Sequence, residues 1–128
     1  MAFEKEMQIL VDAEKNKKAI GPVSDMVAGG LSLDDAYRIM ERNIEKRLKA
    51  GEKHAGYKIG FTNLAVREKM GLPDSTYGYL LDSMVLKNGV KVNMSDLIAP
   101  KIECEICMKI KSGLKGKGLS PEDVIKAT

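Results

Sequence analysis

The sequence predicts an α+β fold, helical in its first third and strand-forming beyond it, and three observations carry that prediction. Apolar residues recur at helical spacing over positions 3–11 and again over 33–48. A short glycine-bracketed segment, Ala55 to Phe61, reads as a strand. Finally, Lys101 to Lys111, KIECEICMKIK, alternates apolar and polar residues without a break. At 128 residues this is one domain or part of one, read as a helical layer over 1–54 and a sheet-forming part over 55–128.

The first helix places Phe3, Met7, Leu10 and Val11 on one face and ends before Gly21-Pro22, where both the ring and its predecessor resist helix. Gly29-Gly30 marks a loop. Ser32 then caps a second helix, with Asp35 three residues on as its reciprocal partner. Leu33, Ala36, Tyr37, Met40, Ile44 and Leu48 are expected to line its apolar face, and Gly51 stops it. The charge run Glu41 to Lys49 is its solvated side.

In the strand at 55–61, Lys58 points away from Tyr57 and Ile59, and glycines on either side permit close backbone approach. Two roles suit such a lysine: binding an anionic group, or guarding a sheet edge. His54, the single histidine, reads as a surface residue. Thr62 is the expected cap of a short helix over 63–70, and 72–78 is loop. Tyr79 to Leu86 reads as strand, and Asn88-Gly89 signals a hairpin turn leading into Val90 to Val92.

In the alternating segment, Ile102, Cys104, Ile106, Met108 and Ile110 form the face expected to be buried. Glu103, Glu105, Cys107, Lys109 and Lys111 form the open face. Glutamates at i and i+2 of a strand stand roughly 7 Å apart along the chain. That spacing lets them share a divalent cation, and it equally suits an ordinary solvated face. Cys104 and Cys107 make a CxxC. A redox pair opens a helix and a zinc site needs more ligands, so Cys104 is read as core filler and Cys107 as a bystander. Farther on, GLKGKG lacks the Gly-Lys-Ser/Thr of a phosphate-binding loop and is a plain turn. Ser120, Pro121, Glu122 and Asp123 announce a last helix, which suggests a chain cut from something longer.

Composition narrows the function classes. A net charge of +3 with dispersed lysines, no interleaved aromatics and no tryptophan gives no nucleic-acid footprint. No apolar run approaches a membrane span, and the opening MAFEKEMQ lacks the apolar core of a signal peptide. A cytoplasmic protein with no membrane partner is the expectation.

Ala36-Tyr37, then Gly56-Tyr57-Lys58-Ile59-Gly60-Phe61-Thr62, Tyr77-Gly78 with Leu81-Asp82-Ser83-Met84-Val85, and Pro100-Lys101-Ile102-Glu103-Cys104-Glu105-Ile106 follow one another in a telling order. In that order and spacing the chain resembles the 2-keto-4-pentenoate hydratases of the fumarylacetoacetate hydrolase superfamily. The resemblance implies a mixed β-roll, of which this chain carries the N-terminal half. It implies Mg²⁺ or Mn²⁺ held by Glu103, Glu105 and a third acidic ligand further along, with Lys58 lining the same pocket. The family's acidic residue before the aromatic-Gly pair falls on Thr76 here, and Asp74 is the candidate substitute. The implied substrate is a small 2-oxo or 2-hydroxydienoate acid, hydrated in aromatic-compound catabolism by a homo-oligomeric enzyme. The 128 residues alone are expected to be inactive. Two other readings are a 4-oxalocrotonate-type decarboxylase of the same superfamily and a non-catalytic, truncated interaction module.

Overall fold

A computed structural model describes residues 3–128. Helix α1 spans Glu4–Lys15 and α2 spans Leu33–Lys49, with a short 3-10 turn at Val23–Met26 in the connection. Strand β1 (His54–Gly60) is followed by the short helix α3 (Leu64–Lys69) and by β2 (Thr76–Leu81). Two further 3-10 turns, Asp82–Met84 and Met94–Asp96, precede a long stretch without regular structure, and α4 (Pro121–Ala127) ends the described residues. The chain is therefore mixed α and β, with β1 and β2 paired antiparallel in a two-stranded sheet.

Local signals explain the helices. Asp35 N–H donates to Ser32 Oγ at 3.1 Å while the Asp35 carboxylate accepts from Ser32 N–H, a closed capping box at the head of α2. The same box recurs at α4 between Ser120 and Asp123, with Pro121 in the first turn. The Ser32 hydroxyl lowers the Asp35 pKa, and the Ser120 backbone N–H followed by its hydroxyl lowers that of Asp123. Gly51 at φ +107° takes up the left-handed conformation that ends α2. At α3 the cap is Asn63, whose side chain accepts from Val66 N–H, rather than the expected Thr62.

Helix α2 is rolled relative to the expectation. Its buried residue is Ile39, whereas Leu33 and Leu48 are exposed. The reason is that α2 serves two neighbours. On one side Asn43 donates to the backbone carbonyl of Met7, the buried residue of α1. On another, Tyr37 stacks on Tyr77 of β2, with ring centroids 4.8 Å apart. The core is correspondingly thin: Met7, Ile39, Leu81 and Ala127 are its buried apolar members among the described residues.

The sheet half differs most from expectation. Strand β2 ends at Leu81, and the expected continuation of the strand as far as Leu86 gives way to the turn at Asp82–Met84. Asp82 explains the break. Its carboxylate accepts from Lys53 N–H at 3.0 Å and Ser83 N–H at 3.0 Å, which curls the chain. Asn88-Gly89 does turn, with Val90 N–H donating to Lys87 C=O and Gly89 at φ +80°, yet no strands flank it. The alternating segment 101–111 is also not a strand. Among the described residues no backbone partner reaches positions 101–110, and Lys111 and Ser112 bond only to the Ala127 carbonyl. Alternation prepares two faces, but a strand exists only through a neighbour's ladder. Ile102 and Ile106 are accordingly 97% and 95% exposed, and Cys104 is exposed rather than core filler.

Candidate functional site

The β1–β2 hairpin has two contrasting faces. Register pairs Lys58 with Gly78, Gly60 with Thr76 and Gly56 with Leu80, and directly opposed residues share a face. Lys58 therefore rises from a floor that is mostly glycine. A Cβ added to Gly56 or Gly78 would meet open space, so the floor is accessible as well as flat. Gly60 differs: a Cβ there would stand 3.1 Å from Thr76 Oγ1, a tight contact to which the threonine hydroxyl would have to yield. Tyr57, Ile59, Tyr77 and Tyr79 occupy the opposite face.

Segment 101–105 crosses to the glycine face. Lys58 Nζ lies 2.9 Å from Glu103 Oε2 and 2.9 Å from Glu105 Oε1, so one ammonium is held between both carboxylates. The Glu105 contact, then that with Glu103, raises the Lys58 pKa above its ordinary value. All three side chains are about half exposed, so solvent screens the attraction and the cluster remains open to exchange. Three of the four sequence-predicted site residues thus meet, although the strand expected to present the glutamates is not formed.

Asp74 stands apart. With Ser75 and Thr76 it lines an open depression of about 400 Å³ on the tyrosine face, together with Tyr57, Ile59, Tyr77 and Tyr79. Its carboxylate accepts from Ser75 N–H at 2.7 Å. The loop carrying it is tied back by Arg67 of α3, which donates to Ser75 Oγ at 2.9 Å and to the Phe61 carbonyl. Phe61 itself has φ +54°, an uncommon non-glycine conformation that turns the chain out of β1.

Tyr77 and Tyr79 are features that sequence reasoning passed over as site candidates. Burial, then the nearby Glu41 carboxylate, raises the Tyr77 pKa; burial, then Tyr57, raises that of Tyr79. The odd-numbered spacing of Tyr57, Ile59, Tyr77 and Tyr79 was the available signal, since it sends all four side chains to one side.

A divalent cation can be tested against the glutamates. Hard carboxylate oxygens suit Mg²⁺ or Mn²⁺, and Glu103 and Glu105 already converge on one cationic atom, Lys58 Nζ. Among the described residues, no third acidic, histidine or cysteine side chain joins them in a metal-binding group. The pair fits two positions of a coordination shell.

No protein-family model matches the chain. It is similar to a 2-hydroxypent-2,4-dienoate hydratase of Pseudomonas putida, 42% identical over 99 residues, which cover 77% of this chain and 45% of the relative. It is 32% identical to a 2-hydroxyhexa-2,4-dienoate hydratase of Comamonas testosteroni, over 98% of this chain and 48% of the relative. A 2-keto-4-pentenoate hydratase of Paraburkholderia xenovorans is 30% identical, over 97% and 46%. The chain spans about half the length of the curated relatives it matches. No helix among the described residues is long and apolar enough to cross a membrane. The chain is therefore homologous to about half of each of these 2-keto-4-pentenoate and 2-hydroxydienoate hydratases.

Proposed function

We propose that these residues form the carboxylate-and-lysine part of a divalent-metal-dependent hydratase, a hydro-lyase acting on 2-hydroxy-2,4-dienoates in aromatic-compound catabolism in the cytoplasm. The observation that carries the reading is the Lys58 ammonium held between Glu103 and Glu105. The names of the relatives supply the substrate class. The proposed architecture is a fumarylacetoacetate-hydrolase-type β-roll, in which 101–111 becomes a paired strand.

In this reading Glu103 and Glu105 hold Mg²⁺ or Mn²⁺, with remaining positions filled by other ligands and water. When bound, the metal supplies Lewis-acid stabilisation to the negative charge of an enolate. The lysine and two carboxylates together carry one net negative charge, which favours a dication. Release from the glutamates leaves Lys58 over the glycine floor, free to pair with the substrate carboxylate and fix its orientation. The open backbone at Gly56 and Gly78 gives a flat dienoate room to lie close to the sheet. Asp74 and the tyrosines face away from this point, so Asp74 reaches it only if the loop rearranges.

The test has two parts. Mn²⁺ binding is followed by the relaxation of water protons, and hydration of 2-hydroxypenta-2,4-dienoate by loss of its ultraviolet absorbance. Mn²⁺ binding that Glu103→Gln or Glu105→Gln weakens at least about tenfold supports the metal assignment. Binding unchanged in both variants overturns it, whatever the activity.

A further inference from the structure

We propose that Leu80 sets the chain length of the substrate, by lying against the C5 end of a 2-hydroxy-2,4-dienoate that runs along the hairpin from Lys58 over Gly56. The head of that molecule is held as under the proposed function, on which the placement of the tail depends. Along the glycine face the register gives three successive pairs: Leu80 with Gly56, Gly78 with Lys58, and Thr76 with Gly60. Opposed residues share a face and the side-chain period is two, so Leu80, Lys58 and Thr76 all stand on it. Lys58 is in the middle, with an apolar residue at one end of the floor and a hydroxyl at the other.

The two ends are not equivalent. A Cβ added to Gly56 would meet open space out to 4 Å, so neither segment 101–105 nor the Leu80 side chain covers the backbone there. A Cβ added to Gly60 would meet Thr76 Oγ1 at 3.1 Å, so a hydroxyl already takes the space above that glycine. Covering a hydroxyl with hydrocarbon costs free energy unless it keeps a hydrogen bond, whereas contact with Leu80 is favourable. Phe61, at φ +54°, also turns the chain away immediately after Gly60. Space and chemistry therefore send an apolar tail the same way, toward Gly56 and Leu80.

The reach also fits. A step of two residues along a strand is roughly 7 Å, close to the length of an extended five-carbon acid, so a carboxylate at the Lys58 pair puts C5 near the next pair. Leu80 is half-buried, so its side chain is a wall rather than a free arm. Beyond that level the regular floor is interrupted: His54 pairs with Leu81 and Gly56 with Leu80, which leaves Ala55 as an extra residue in β1. The curated relatives differ at this same end of the substrate, one being named for a pentadienoate and another for a hexadienoate. A substituent on C5 is therefore the part of the substrate that Leu80 reads.

Calorimetric titration of the full 128-residue chain with 2-oxo acids of graded length, in the presence of Mn²⁺, tests the proposal. The shortest, 2-oxopropanoate, carries the head alone and stops short of Gly56; 2-oxopentanoate reaches it, and 2-oxohexanoate adds one carbon against Leu80. The wild-type chain should bind 2-oxohexanoate about threefold tighter than 2-oxopentanoate. Leu80→Ala should erase that preference. In Gly56→Val the Cβ enters open space and its branching suits a strand, so the hairpin should persist. That variant should bind both longer acids about tenfold more weakly or worse, and 2-oxopropanoate as before. A wild-type chain indifferent to length, a preference that survives both substitutions, or one that Thr76→Ala alters instead overturns the proposal. Absence of binding by every acid, 2-oxopropanoate included, overturns the proposed function and this placement with it. Normal binding of 2-oxopropanoate beside an insensitive tail overturns the placement alone.

Discussion

Arg47, in the last turn of α2, and Glu52, just beyond its end, form a two-point ion pair, with Nε to Oε1 at 2.7 Å and a terminal nitrogen to Oε2 at 2.8 Å. The same guanidinium reaches Glu14 of α1 at 3.3 Å and donates to Ser83 Oγ after β2 at 3.2 Å. Ser83 also donates to the Glu52 carboxylate. One side chain therefore joins both long helices to the exit of the hairpin. The Arg47 hydrogen bonds, and then that from Ser83, bring the Glu52 pKa from an ordinary 4.5 to about 2.

That depression fixes an acid dependence. A carboxyl whose folded pKa is lowered stabilises the fold above its unfolded pKa, and the contribution is lost as pH falls through the folded value. For Glu52 the window runs from 4.5 down to about 2. The thermal midpoint of the wild-type chain should fall across it, and Glu52→Gln should start lower at pH 7 and lose less on acidification. Equal slopes for the two proteins in circular-dichroism melts would contradict the assignment.

Ile39→Ala should cost about 2–4 kcal/mol, because Ile39 is one of very few buried apolar side chains and its neighbours cannot spread the loss. Ile102→Ala should change stability by less than about 0.5 kcal/mol, since that side chain already faces water. Urea titration compares the two.

Ser32→Ala removes the side-chain half of the α2 capping box and should destabilise by about 1 kcal/mol. Ser32→Thr should recover most of this. Helix content read by circular dichroism near the midpoint should follow the same order.

Lys58→Met tests the exchange between ammonium and metal. Removing the cation that sits between Glu103 and Glu105 should tighten Mn²⁺ binding about fivefold, while the substrate analogue 2-oxopentanoate binds more weakly in the presence of metal. Weaker Mn²⁺ binding in this variant would mean that Lys58 organises the glutamates rather than occupying their cation position.

The helical half was legible because its signals are local. Ser32, Asp35 and Gly51 bound α2 through contacts within a few residues, and the structure keeps each of them. The meeting of Lys58 with Glu103 and Glu105 was legible only through the family resemblance, since 45 residues separate Lys58 from Glu103 and no local pattern joins them. Ile39 was missed because helical periodicity finds an apolar stripe but not the neighbours that divide it. The 101–111 segment shows the opposite limit: the face that its alternation marks for burial is exposed, because strand formation belongs to the backbone of another segment.

All four tyrosines of this tryptophan-free chain, Tyr37, Tyr57, Tyr77 and Tyr79, lie in one contact group where α2 meets the hairpin. The molecule's near-ultraviolet spectrum is therefore a local instrument. It records whether that junction is assembled, and it carries no chromophore of this kind from position 80 onward. Metal binding at Glu103 and Glu105 would be optically quiet unless Lys58 transmits it through β1 to the rings on the far face.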